Sequence, residues 1–155
     1  MSKGLNYRAL DHHLGRFFSG RCGLAGDDQE RFGVLVEELS LAMADGHSCL
    51  ELDDGDCGLV IKSPLVSAGS ESPFVLYKSR FYFHRYYRYE QLLAEKLKQL
   101  AAVSHDYAEL ESSLDELFGK EPGGVDYQRV AARMAIEKSL CLISGGPGTG
   151  KTTTV

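Results

Sequence analysis

The sequence predicts a mainly helical domain with a small β-hairpin, followed by the first strand and a glycine-rich loop of an α/β domain. Three observations predict this. Apolar residues recur at helical spacing in four stretches ahead of residue 122. Two aromatic and β-branched runs, Phe74–Tyr77 and Phe81–Phe83, flank Lys78-Ser79-Arg80. An unbroken apolar run, Leu140-Cys141-Leu142-Ile143, leads into Gly145-Gly146-Pro147-Gly148-Thr149-Gly150-Lys151-Thr152.

In chain order, residues 5–24 place Leu10, Leu14, Phe17 and Phe18 on one helical stripe, which Gly20, Gly23 and Gly26 then break. A second helix starts with Asp27 as N-cap and Glu30 three residues on, a capping-box spacing. It carries Phe32, Leu35, Val36, Leu39 and Met43 on one face and closes at Gly46, a C′ position suited to glycine. The stretch HSCLELDDGDCG reads as an acidic loop, and residues 59–73 as a short element with an irregular loop.

The aromatic hairpin is followed by a helix with Tyr89, Leu92, Leu93, Lys96, Leu97 and Leu100 at 3- and 4-residue spacing. A shorter helix carries Leu110, Leu114, Leu117 and Phe118, and Pro122-Gly123-Gly124 makes the clearest linker. Beyond it, Val125 to Lys138 is an Ala-rich helix, and the apolar run 140–143 suits a buried parallel strand. The boundary near residue 122 divides an N-terminal domain, 1–121, from a second domain beginning at 122.

The chain has 155 residues, enough for one ordinary domain or for a small one and the start of another. Hydrophobic content of 43% and charged content of 25% exclude a wholly disordered chain. No window approaches the roughly 18 apolar residues of a membrane span. The N-terminus lacks an apolar core followed by a small-residue cleavage site, so no signal peptide is expected. The four cysteines form no CxxC pair and fit no common zinc spacing, which points to reduced thiols in a cytoplasmic protein. His12-His13 reads as a surface pair rather than a metal site.

The net charge is −5 and unevenly spread. Residues 1–72 hold 6 Lys/Arg against 12 Asp/Glu, whereas residues 73–103 hold 6 against 2. The acidic front is a poor match for a polyanion, so contact with DNA is not expected there. The stretch Arg80 to Tyr89 interleaves arginines with aromatics. That pattern builds a packed hairpin edge, a protein interface or a stacking platform for single strands; packing is the favoured reading.

Residues 145–152 match GxxxxGK[ST] in full. Glycines let backbone N–H groups curl around phosphates without Cβ clashes. Lys151 supplies a cation to the phosphates, and the Thr152 hydroxyl is placed for Mg²⁺. The ATP-binding set is therefore Gly145, Gly146, Pro147, Gly148, Thr149, Gly150, Lys151, Thr152 and Thr153, with Lys151 and Thr152 closest to the chemistry. Residues 152–155 would open the helix whose dipole faces the anion. Hydrolysis also needs a Walker-B acid and a group that orients water. Neither follows the loop here, so the chain by itself is expected to be inactive.

The run Asp126-Tyr127-Gln128-Arg129-Val130-Ala131-Ala132, followed by SLCLISGGPGTGKTTTV, resembles the start of the motor core of the RecD family. These are the alpha subunits of exodeoxyribonuclease V, the RecBCD enzyme. Gly46-His47-Ser48-Cys49-Leu50 and the aromatic hairpin resemble the N-terminal domain of that family more loosely. The resemblance implies a RecA-like P-loop NTPase fold beyond residue 122. It further implies ATP and Mg²⁺ as cofactors, with Gln128 as the adenine-recognising glutamine of superfamily 1 helicases. The implied activity is 5′ to 3′ DNA unwinding in double-strand break repair and recombination. The implied partners are RecC-like and RecB-like subunits, with residues 1–121 docking on RecC and DNA met through later motor domains. An interaction module with a vestigial P-loop, and a non-helicase P-loop NTPase, are the alternatives; Gln128 argues for the helicase.

Overall fold

The computed structural model describes residues 6–67, 72–119 and 125–151. It contains six helices and three short strands among the described residues, divided into two compact units, 1–92 and 93–155. The linker Pro122-Gly123-Gly124 lies outside the described residues.

In the first unit, α1 (Ala9–Ser19) packs on α2 (Gly26–Ala44). The crossing runs through two glycines: a Cβ on Gly15 would collide with the Glu37 side chain and lie 2.8 Å from the Gly33 carbonyl oxygen. A Cβ on Gly33 would stand 3.0 Å from that of Ser19. This approach rotates α1 away from the expected stripe. Asp11 and Gly15 are buried, Leu14 and Phe18 pack on the core, but Leu10 and Phe17 are 56% and 49% exposed. Asp11 is held by its neighbours. Arg8 Nη2 donates to Asp11 Oδ1 at 2.6 Å, Arg8 N to Oδ2 at 2.7 Å, and Ser40 Oγ to Oδ1 at 2.7 Å. The Arg8 guanidinium, with help from the Ser40 hydroxyl, holds the Asp11 carboxyl well below the usual carboxylate range against the opposing effect of burial.

α2 buries Phe32, Leu35, Val36 and Leu39, as its spacing predicts, while Met43 is half-buried. Its N-cap is Ala25 rather than Asp27; Asp27 and Asp28 instead sit in the first turn, where carboxylates favour the helix dipole. Its end follows expectation. Gly46 has φ +89°, its N–H reaches Met43 O at 3.2 Å, and His47 N–H reaches Ala42 O at 3.0 Å. This pair of bonds satisfies carbonyls that the helix leaves open.

The acidic stretch read as a loop holds β1 (Leu50–Glu51) and α3 (Asp54–Val60). Asp53 caps α3 by accepting from Asp56 N at 2.8 Å. β2 (Phe74–Tyr77) and β3 (Arg80–Phe83) form the predicted hairpin around Lys78-Ser79, with Lys78 at φ +56°. β1 joins the free edge of β3, giving an antiparallel sheet of order β1-β3-β2, with Leu50 opposite Phe81 and Phe74 opposite Phe83. One sheet face meets α2 through Phe74 and Phe81, whose rings stack at 5.1 Å; Phe18 and Phe32 meet Phe74 edge-on. On the other, Tyr82 lies edge-on to Tyr87 at 5.3 Å.

Tyr87 belongs to α4 (His84–Ala102), which buries no residue fully among those described. Its expected stripe is present but uncovered: Tyr89, Leu92, Leu93, Leu97 and Leu100 are all exposed. In the second unit, α5 (Leu110–Phe118) packs on α6 (Tyr127–Glu137) around Leu110, Leu114, Ala132 and Phe118. Leu117, expected on the same stripe, is exposed.

Leu140–Ile143 forms no strand, and Leu142 is 88% exposed. A parallel strand bonds only to neighbouring strands, and the three strands among the described residues all lie in the sheet of residues 50–83. The residues just ahead of it pair with the segment after α4 instead. His105 N donates to Glu137 O at 2.7 Å, and Lys138 Nζ to Ser104 Oγ at 2.7 Å.

Candidate functional site

The glycine-rich loop follows the irregular segment 140–144. Gly148 and Gly150 have φ of +76° and +75°, a region that side chains disfavour. Gly150 is constrained twice, because a Cβ there would also collide with Gln128 Nε2. The side chain of Gln128 therefore lies directly over the loop. Two residues picked out separately in the sequence, 22 positions apart, are thus brought together.

Within the loop, Thr149 Oγ1 donates to Gly146 O at 2.9 Å, and Lys151 Nζ donates to Gly145 O and Gly146 O at 2.6 Å each. The ammonium closes the loop on itself, at the place where a polyphosphate would be gripped. Pro147 is exposed at the tip. Thr152, the expected Mg²⁺ ligand, and Thr153 lie outside the described residues. A cavity of about 390 Å³ opens beside the loop, lined by Tyr127, Gln128, Met134 and Leu142 together with Gly145, Thr149 and Lys151. An apolar wall, one amide and one cation suit a nucleotide: the wall for the base, the amide for its edge, the cation for its phosphates. The left-handed conformations of Gly148 and Gly150 fit the backbone cradle that such an anion requires.

The start of α6 fixes Gln128. Asp126 caps the helix, accepting from Gln128 N at 2.9 Å and Arg129 N at 3.3 Å. Arg129 is buried against α5. Its guanidinium donates to Asp115 Oδ1 at 2.7 Å, Glu111 Oε2 at 3.1 Å and Gly119 O at 2.9 Å. Arg133 joins Glu111 at 2.6 Å on the exposed side. The sequence assigns no role to Asp115, and none to Asp126 or Arg129 beyond their place in the run 126–132. Asp126 had a signal, a capping residue just ahead of an Ala-rich run; the pairing across residues 115 and 129 had none.

The arginine–aromatic stretch divides in two. Phe81 and Tyr82 are buried, as the packing reading expects, and burial next to Glu90 raises the Tyr82 hydroxyl pKa. Arg85, Tyr86, Arg88 and Tyr89 remain exposed on α4. A separate cavity of about 730 Å³ in residues 1–92 is lined by Glu38, Asp45, Glu51 and Glu90 with Arg80, over Leu41 and Leu50. It holds no part of the loop chemistry. His12 pairs with Glu37 at 2.8 Å, and no group of three or more metal-ligating side chains occurs among the described residues. No helix of the described residues is long and apolar enough to cross a membrane.

No family model matches the chain. It is similar to curated proteins described as RecBCD enzyme subunit RecD. The relative from Mycobacterium tuberculosis is 36% identical over 152 residues, covering 86% of this chain and 25% of that protein. The one from Mycolicibacterium smegmatis is 38% identical over 93 residues, covering 60% of this chain and 16% of its own length. The one from Haemophilus influenzae is 35% identical over 88 residues, covering 54% and 14%. The chain spans about a quarter or less of the length of these relatives. It is related to RecD subunits over most of its own length.

Proposed function

We propose that this RecD-related chain is the N-terminal part of the ATP-dependent 5′ to 3′ DNA helicase subunit of an exodeoxyribonuclease V. It would act in double-strand break repair and recombination. The observation that carries this reading is the placement of Gln128 over Gly150, inside a chain related to RecD over most of its length. A glutamine at that point reads the base of a nucleotide whose phosphates lie in the loop. Gly145 to Thr153 supply the cradle, Lys151 the cation and Thr152 the Mg²⁺ ligand. Magnesium-ATP, when bound, supplies the phosphoryl group whose hydrolysis drives movement. The residues present here bind and orient it; unwinding is proposed for the whole subunit.

Residues 1–121 dock on a RecC-like partner in a cytoplasmic complex that also holds a RecB-like subunit. Two features support a protein partner over DNA: the acidic front of the chain and the carboxylate-lined cavity of the first unit. The exposed apolar stripe of α4 suits the same role, and is the observation that keeps the pure interaction module in view. The test is co-purification of the tagged chain with RecC-type and RecB-type subunits, alongside photocrosslinking to labelled ATP. Capture of RecC together with crosslinking lost in Lys151→Ala supports the helicase reading. Capture without crosslinking leaves the interaction module, and failure of both overturns the proposal.

A further inference from the structure

The base-reading residue sits next in sequence to a buried ion-pair cluster that contributes nothing to the loop. Consecutive residues on a helix point about 100° apart, so the face of α6 that grips α5 sets where Gln128 aims. That grip is polar. Three acceptors, the carboxylates of Asp115 and Glu111 and the carbonyl of Gly119, surround one guanidinium. The apolar cluster between the two helices amounts to Leu110, Leu114, Ala132 and Phe118, too little to define one rotation of α6. Arg129 Nε is buried and has no hydrogen-bond partner among the described residues.

We propose that Asp115, Glu111 and Arg129 form a clamp that positions Gln128, and so governs discrimination of the nucleotide base without touching the nucleotide. Asp126 holds the first turn of α6 in place; the clamp fixes its rotation. The proposal rests on the nucleotide-binding reading for its consequence, but the positioning itself is measurable without nucleotide.

The test uses the ¹⁵N-labelled 155-residue chain and follows the NMR cross-peak between the Gln128 side-chain amide and the Gly150 Hα. The wild type shows it. Asp115→Asn and Arg129→Met lose it, Arg129→Lys regains part of it, and Arg133→Gln at the exposed rim keeps it. Amide exchange in α6 separates a shifted helix from a lost one: protection stays in Asp115→Asn. The proposal is overturned if the cross-peak is absent from the wild type or survives in both Asp115→Asn and Arg129→Met. It is overturned equally if α6 protection disappears with the cross-peak in Asp115→Asn, since the role is then merely structural. In a second arm, the preference for ATP over GTP falls about fivefold in Asp115→Asn, the worth of one hydrogen bond to the base. Binding of tripolyphosphate is unchanged. Failure of the wild type to show any Lys151-dependent nucleotide binding defeats the proposed function, whereas the cross-peak series still decides the clamp.

Discussion

The two units hold themselves together in different ways. Residues 1–92 gather Phe32, Leu35, Val36, Leu39, Val60, Phe74 and Phe81 into a continuous apolar core, with the aromatic rings meeting around Phe74. Among the described residues, 93–155 bury the apolar side chains of Leu110, Leu114 and Ala132 and add a network of charges around Arg129. Apolar burial is non-directional and tolerant, whereas ion pairs fix geometry at little net gain in stability. The first unit is therefore held mainly by its apolar core and the second mainly by directional polar contacts.

The contrast can be broken most directly at Phe74. Phe74→Ala is expected to cost about 4 kcal/mol, because it removes the ring that four other phenylalanines contact. Urea melts followed by tyrosine fluorescence check this; a loss under about 1 kcal/mol would show that the core is not centred there.

Asp11→Ala comes next, at about 2 kcal/mol, for losing a buried carboxylate's bonds to Ser40 and to an Arg8 side chain that is itself half exposed. It also carries a pH signature. The folded-state pKa is depressed by the Arg8 guanidinium, so the stabilisation is fully present above the ordinary carboxylate pKa near 4 and fades as pH falls through it. The stability gap between wild type and Asp11→Asn should be constant from about pH 5 to 7 and narrow below about pH 4. A gap that widens in acid would contradict the assignment.

Leu114→Ala is expected to cost about 2 kcal/mol, at the low end for a buried leucine because the surrounding cluster is small enough to collapse. Hydrogen exchange sharpens the comparison here. Protection should fall in α5 and α6 and stay unchanged in α2, and a matching loss in α2 would refute independent units. Lys62→Ala, which removes an exposed pair with Asp28, is expected to change stability by under about 0.5 kcal/mol.

How much could be read beforehand depended on which force built each element. α2 was legible because apolar spacing and a closing glycine act locally, and the hairpin because two aromatic and β-branched runs flank a short polar break. α1 was legible as a helix but not in its facing. Its contact with α2 passes through Gly15, Gly33 and the charged Asp11, none of which counts as apolar, so the stripe of Leu10 and Phe17 pointed the wrong way. β1 has two residues, too few to show a period, and α3 hid in an acidic run whose cap, Asp53, looked like more of the same. Leu140–Ile143 had the composition of a buried strand, but composition cannot supply the neighbouring strands that such a strand needs. At the site, glycine spacing marks the loop in the sequence, and Gln128 enters through the family resemblance alone. The clamp joins residues on separate helices and leaves no trace in either alone.

The posture of Lys151 has a consequence for affinity. Its ammonium already makes two short bonds to the carbonyls of Gly145 and Gly146. On the proposed reading, a polyphosphate entering the loop would meet no idle cation and would have to displace two resident oxygens. Association is then an exchange reaction, and its net strength is a difference between two sets of bonds rather than the sum of the new ones.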